Sequence, residues 1–312
     1  MIRFCFFSIV LFVFQSFAVA QIPSVSVGKV IRHAHFNSSY VTSRHVDIWL
    51  PDGYDTGNEK YPVLYMHDGQ MLFDSTNTWN HQEWKMDETA GRLIKEGKVS
   101  PFIIVGIWNG GETRHADYFP QKPFEKMSQA DKDIVYKAVR QNGSDVFKEK
   151  TIRSDNYLRF ITKELKPFID KTYRTMPDRK HTFIAGSSMG GLISMYAICE
   201  YPDVFGGAAC ISTHWPGIFQ IDNNPIPQAI FTYLRNHLPS PYTHKFYFDH
   251  GTATLDAMYP ALQSEANTIF KQKGFRKKYF SSLVFEGADH SEAAWSKRMH
   301  HSLVFLMNYE KQ

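Results

Sequence analysis

Gly186-Ser187-Ser188-Met189-Gly190-Gly191 is the stretch on which the reading of this chain turns. Just before it, Thr182 to Ala185 reads as a short strand. Just after it, Leu192 to Cys199 has the unbroken apolar character of a buried helix. A serine on a strand-to-helix turn, with glycine two places before and two places after, meets the G-x-S-x-G pattern in the context that gives it meaning. The turn is so tight that its neighbours must lack bulk, which Gly186 and Gly190 provide. The helix N-terminus aims free N–H groups at charge developing on a substrate oxygen, and Met189 N–H is the first candidate donor. Ser188 is therefore the expected nucleophile.

A serine hydroxyl needs a base, and the base needs an acid to orient it. Both are expected later in the chain, at the ends of later strands, so that all three groups meet at one sheet edge. His290 fits, in Gly287-Ala288-Asp289-His290-Ser291, after the strand Tyr279 to Phe285 and before a closing helix. It lies 102 residues beyond Ser188, room enough for the intervening strands. The acid has two candidates in Asp249-His250-Gly251-Thr252-Ala253-Thr254-Leu255-Asp256. Asp256, past the turn and at the start of a helix, is favoured. Asp249, directly after the strand Lys245 to Phe248, is the alternative and more suited to bracing the loop. A second oxyanion donor is expected from His67-Asp68-Gly69-Gln70, where Gly69 lets the backbone turn and Gln70 N–H reaches the hole.

Around these points strands and helices alternate, as in a mostly parallel α/β sheet with helices on both faces. Val46 to Leu50 alternates and stops at Pro51-Asp52-Gly53, and Tyr61 to Met66 and Phe102 to Trp108 are apolar runs suited to strands buried on both sides. Met86, Ala90, Leu93 and Ile94 mark one face of a helix. Gly207 to Ile211 reads as another strand, and Leu262, Ala266, Ile269 and Phe270 as another helix face. Residues 109–153 are polar and carry no strong period, which predicts an insertion over the sheet edge, a candidate lid. Order resumes at Ser154, read as an N-cap, ahead of Tyr157, Leu158, Ile161, Leu165, Phe168 and Ile169.

The first twenty residues read as a leader rather than as part of the fold. Arg3 precedes the uncharged apolar run Phe4 to Phe14, and Ala18-Val19-Ala20-Gln21 supplies a small-x-small cleavage site. The run is short for a membrane span, so an uncleaved anchor is the weaker alternative. The expected organisation is a signal peptide over 1–20 and a single catalytic domain over 21–312, exported to the periplasm or beyond.

Composition limits the partners. Thirty-five basic and 31 acidic residues leave a formal charge of +4, which suggests neither a nucleic-acid nor an anionic-membrane partner. Aromatics reach 15%, enough for large buried rings or an aromatic-lined site. Cys199 and Cys210 read as buried thiols, with a disulfide the alternative. His33-x-His35 and His300-His301 lack convergent ligands, so no metal and no cofactor is expected.

The motifs, taken together, resemble a known family. Tyr61-Pro62-Val63-Leu64-Tyr65-Met66-His67-Asp68-Gly69-Gln70 and Ala185-Gly186-Ser187-Ser188-Met189-Gly190-Gly191 are similar to the esterase family that holds esterase D, feruloyl and acetyl xylan esterases, siderophore trilactone esterases and mycolyl transferases. Val105-Gly106-Ile107-Trp108-Asn109, Gly251-Thr252 with Asp256, and Gly287-Ala288-Asp289-His290 extend the likeness to roughly residues 40–308. The resemblance implies the α/β-hydrolase fold, ester chemistry and a triad of Ser188, Asp256 and His290. Three residues separate Thr252 from Asp256, where feruloyl members have a tighter turn, and this keeps Asp249 open as the acid.

The expected substrate is a small-molecule or glycan ester, its acyl group borne by a carbohydrate, polyphenol or siderophore. Acyl transfer to another acceptor and an inactive ligand-binding relative are the alternatives. Trp79, Trp108, Tyr118 and Trp215 are the aromatic candidates for the pocket, and His214-Trp215, after a strand end on the catalytic edge, is the best of them. Arg114 could meet a carboxylate or hydroxyl-rich substrate, though a solvated surface arginine is the plainer reading.

Overall fold

The computed structural model describes residues 21–140 and 142–308, so the expected leader over 1–20 lies outside the described residues. Alternation in the sequence becomes one eight-stranded sheet. Its strands are β1 (Lys29–Phe36), β2 (Arg44–Leu50), β3 (Val63–His67), β4 (Ile103–Ile107), β5 (Thr182–Ser187), β6 (Gly207–Ile211), β7 (Lys245–Gly251) and β8 (Phe280–Phe285). The order across the sheet is β1-β2-β4-β3-β5-β6-β7-β8. β1 and β2 run antiparallel to their neighbours, and every pair from β4 to β8 is parallel. β3, β4, β5 and β6 are buried along their whole lengths, which is why they read as continuous apolar runs. β1 did not declare itself in the sequence: Lys-Val-Ile-Arg-His-Ala-His-Phe alternates poorly, and none of its residues is fully buried.

Helices cover both faces. On one side, α1 (Met86–Lys95) and α10 (Glu292–Met307) pack together through Met86, Ala90, Leu93, Trp295, Met299 and Leu303. On the other lie α5 (Ser154–Arg159) and α6 (Lys166–Thr172), joined by a π-helical turn at Phe160–Leu165, then α7 (Met189–Glu200), α8 (Ile226–His237) and α9 (Pro260–Gln272). α7 is buried on every side, so it is apolar all round rather than amphipathic. Ser154 opens α5 instead of capping it by its side chain; its Oγ accepts the Gln121 N–H at 3.0 Å.

The segment 109–153 is built of short helices: α2 (Arg114–Tyr118), α3 (Gln121–Glu125) and α4 (Gln129–Tyr136). α2 and α3, five residues each, are too short to display a helical period, which hid them in the sequence. They are anchored by Tyr118, Phe119, Phe124, Val135, Val146 and Phe147, all buried in the same core as α5 to α9. α2 packs on α5 and α7, and α3 packs on α8. The segment thus forms part of the core.

Acid should loosen this core, for a reason visible in its histidines. His67 and His115 are fully buried, and desolvation pushes both down to about 3; His214 is also held well below the ordinary value. Unfolded chains bind those protons near pH 6.5, so stability rises with pH wherever the folded state refuses them. Each of His67 and His115 contributes a loss on the order of 2 kcal/mol between pH 6.5 and 5. Asp249 opposes this in part, because burial pushes its carboxyl up to about 6 and its proton is favoured in the fold below that pH. The expected outcome is a lower urea midpoint at pH 5 than at pH 7. An unchanged or higher midpoint would contradict the assignment of these imidazoles as buried and neutral.

Candidate active site

Ser188 stands between β5 and α7 with φ +57° and ψ −121°, a conformation rare for a side chain other than glycine's. The strain is accommodated by its surroundings. Ser188 N–H bonds the Ile211 carbonyl on β6, and Ser188 carbonyl accepts both Leu192 N–H and His214 N–H. A Cβ on Gly186 would fall 2.7 Å from the carbonyl carbon and oxygen of Gly190, closer than atoms tolerate. The crowding is therefore one-sided: a Cβ on Gly190 would meet nothing nearer than 3.4 Å. Met189 is the first residue of α7, so its N–H belongs to the first-turn donors that no helix carbonyl takes.

The partner loop follows β3. Asp68 is left-handed at φ +57°, and Gly69 begins a 3-10 turn pressed against β4, where a Cβ would sit 2.5 Å from the Gly106 carbonyl carbon. Gln70 lies in that turn, and its Oε1 accepts the Asn109 N–H at 3.2 Å. Arg114 is no solvated arginine: Nε and Nη2 donate to the two oxygens of Asp68 at 2.6 and 2.7 Å. Asn109 Nδ2 also donates to Asp68, at 2.7 Å. Burial works against the Asp68 carboxylate, yet Arg114 and Asn109 hold its pKa below the ordinary value.

β7 and β8 deliver the other two groups to the same edge. Asp256 lies in a 3-10 turn after β7, fully buried, and His290 precedes α10, whose N-cap Ser291 accepts the Ala294 N–H. His290 Nδ1 and Asp256 Oδ1 are 2.5 Å apart. Asp256 Oδ2 accepts the Ser212 hydroxyl and the Gly251 N–H, each at 2.6 Å. Burial opposes the charge of Asp256, but the bond and charge of His290, then Ser212 and Gly251, hold its pKa below the usual range. Asp249 faces elsewhere. It accepts the Tyr247 hydroxyl at 2.9 Å and pairs with Arg298 Nε at 3.2 Å, so it is tied to β7 and α10 rather than to His290.

Tyr259 borders this pair: its ring stands edge-on to His290 at 5.9 Å, and its hydroxyl meets His214 Nδ1 at 2.9 Å.

The aromatic candidates need correction. Trp215 is wholly buried, with Nε1 donating to Gln263 and its ring packed on Phe231 and Phe248. His214 is 1% exposed and supports Ser188 from beneath instead of lining open space. Trp108 donates to Asp47 under the Arg32 guanidinium, with β3 between its strand and β5. Tyr118 is buried and its hydroxyl accepts the Asp68 N–H, whereas Trp79 is 82% exposed. Phe219, 40% exposed and packed on the His214 ring, is an accessible aromatic that no pattern announced.

Among the described residues no cluster of three or more His, Cys, Asp or Glu could hold a metal, and no helix is long and apolar enough to cross a membrane. Cys199 and Cys210 are free and buried.

Comparison with known proteins bears on the family and the fold. A family model described as "Putative esterase" matches residues 38–306. The ferri-bacillibactin esterase BesA of Bacillus subtilis (strain 168) is 28% identical over 164 residues, 50% of this chain and 49% of that protein. An endo-1,4-beta-xylanase/feruloyl esterase of Xylanibacter ruminicola is 23% identical over 286 residues, 88% of this chain and 30% of that protein. The uncharacterized protein YbbA of Bacillus subtilis is 26% identical over 174 residues, 55% of this chain and 58% of that protein. The matches thus span under two thirds of each of these relatives. Among solved structures, a ferulic acid esterase superposes with a TM-score of 0.61 at 19% identity, covering 89% of this chain and 98% of its own. The enterobactin esterase of Shigella flexneri gives 0.62 at 17% identity, covering 91% and 61%. At such identities the likeness is one of fold.

Proposed function

The chain belongs to the esterase family whose model spans residues 38–306, and from that premise we propose that it hydrolyses carboxylic esters through Ser188, His290 and Asp256. The observation that carries the reading is the 2.5 Å bond between Asp256 and His290 at the sheet edge where Ser188 stands on its strained turn. Ser188 Oγ attacks the ester carbonyl while its proton passes to His290 Nε2. Asp256, ionised and bonded to Nδ1, fixes the tautomer and steadies the imidazolium. Met189 and Gln70 N–H groups receive the oxyanion. The intermediate collapses, His290 protonates the departing alcohol, and water then cleaves the acyl-enzyme by the reverse roles.

By their names, the relatives and neighbours above other than YbbA are esterases for feruloyl groups, ferulic acid, ferri-bacillibactin or enterobactin. We take an ester of an aromatic acid or a siderophore as the substrate class, with Phe219 rather than Trp108, His214 or Trp215 as the contacting ring. The leader over 1–20 and export of the 21–312 domain, with 109–153 as its insertion, belong to the same proposal.

The test is a fluorophosphonate probe followed by a substrate panel. Labelling confined to Ser188, with turnover of feruloyl, siderophore or short acyl nitrophenyl esters, is the expected result. A purified, folded protein that neither labels nor turns over any of these esters would sink the reading.

A further inference from the structure

The grip on Asp256 leads to a hydroxyl outside the triad. Ser212 follows β6 with φ +42°, and its N–H bonds the Asp249 carbonyl. Its Oγ lies 3.0 Å from Trp295 Nε1, 2.6 Å from Arg298 Nη2 and 2.6 Å from Asp256 Oδ2. An indole N–H and a guanidinium N–H can only donate. They occupy both lone pairs of the serine oxygen, which leaves its one proton for Asp256. The direction of that hydrogen bond is thus fixed by α10, the helix that begins just after His290.

Arg298 is buried at 3% exposure and sits between the two candidate acids. Its Nε is 3.2 Å from Asp249 and its Nη2 is 3.5 Å from Asp256 Oδ2. The Tyr247 hydroxyl on β7 faces Asp249, and the Phe285 ring on β8 lies 5.2 Å from the guanidinium carbon. His290 is faced by Asp256, by the edges of Tyr259 and Trp295, and more remotely by His214.

We infer that Arg298 is a positioning residue: through Ser212 it aims a donor at Asp256, and its charge keeps that acid ionised toward His290. The inference rests on Asp256 and His290 serving as proposed above. Arg298 touches no substrate, so it is expected to act on the chemical step and on its pH dependence.

Arg298→Met removes donor and charge in nearly the same volume. The expected result is a kcat lower by about ten- to a hundredfold, from a misaimed triad, with KM within about twofold. The acidic limb of the kcat/KM profile should also move up by about one pH unit, because losing a nearby cation favours the imidazolium. Arg298→Lys keeps the charge, so the limb should return to its wild-type place with part of kcat. A folded Arg298→Met enzyme with wild-type kcat and profile overturns the inference. So does a loss of kcat with no movement of the limb. Should Arg298→Met fail to fold, Ser212→Ala carries the test of the donor: a kcat lowered by about tenfold with unchanged KM and the limb in place supports the inference, and a wild-type kcat overturns it. Failure of the triad reading itself looks different, since wild-type protein would then escape the phosphonate probe.

Discussion

Ser188→Ala should lower turnover by about 10⁶-fold, to the level left by binding and the oxyanion donors alone. The fold should survive. The left-handed φ is imposed by backbone bonds to Ile211, Leu192 and His214, none of which uses the serine hydroxyl. His290→Ala should produce a loss of similar size, and the double variant should be no slower than the worse single one, because the members of a triad act as a unit. Steady-state rates with thermal melts of all three proteins decide it. Rates that multiply in the double variant would show that the two residues do not share a mechanism.

The residues expected from sequence at the reacting edge were those whose role is dictated locally. Ser188 shows itself by the glycines and the strand-to-helix change that its turn requires. His290 shows itself by following the last strand and preceding the last helix. Side chains whose role depends on what packs over them were not legible in this way. His214 and Trp215 follow a strand at the right edge, yet α8 and α9 close over them and turn a promising surface pair into support and core. Arg114 sits in a polar stretch, and only the left-handed turn at Asp68 brings its partner to it.

Ser212 and Arg298 went unseen for the same physical reason. Nothing near either residue in the chain marks it, since Arg298 meets Ser212 across 86 residues of sequence when α10 folds back under β6 and β7. Residues 109–153 illustrate another limit. Their aromatic anchors are spaced by turns and five-residue helices, so the segment has a core without having a period. β1 hides because an antiparallel edge strand half open to water needs no apolar run.

Asp249, on β7, and Asp256, just after it, are told apart by their partners, and their amides should fail in different ways. In Asp256→Asn the volume is unchanged, but one edge of the new side chain is an NH₂ donor. Facing His290 Nδ1, it favours the tautomer whose proton sits on Nε2, the nitrogen that must accept the serine proton. Turnover should fall by up to about 10⁴-fold, as in other triads with an amide in place of the acid. Asp249→Asn disturbs no bond to His290. It leaves Arg298, buried, with one carboxylate fewer to answer its charge, and removing one partner of a buried ion pair costs about 3–5 kcal/mol. That variant should therefore melt well below the wild type while retaining turnover within about tenfold at a temperature where it is folded. Rates and melting temperatures of both proteins separate the roles. A folded, nearly active Asp256→Asn beside a folded, inactive Asp249→Asn would reassign the acid to Asp249, against the direction in which its carboxylate now points.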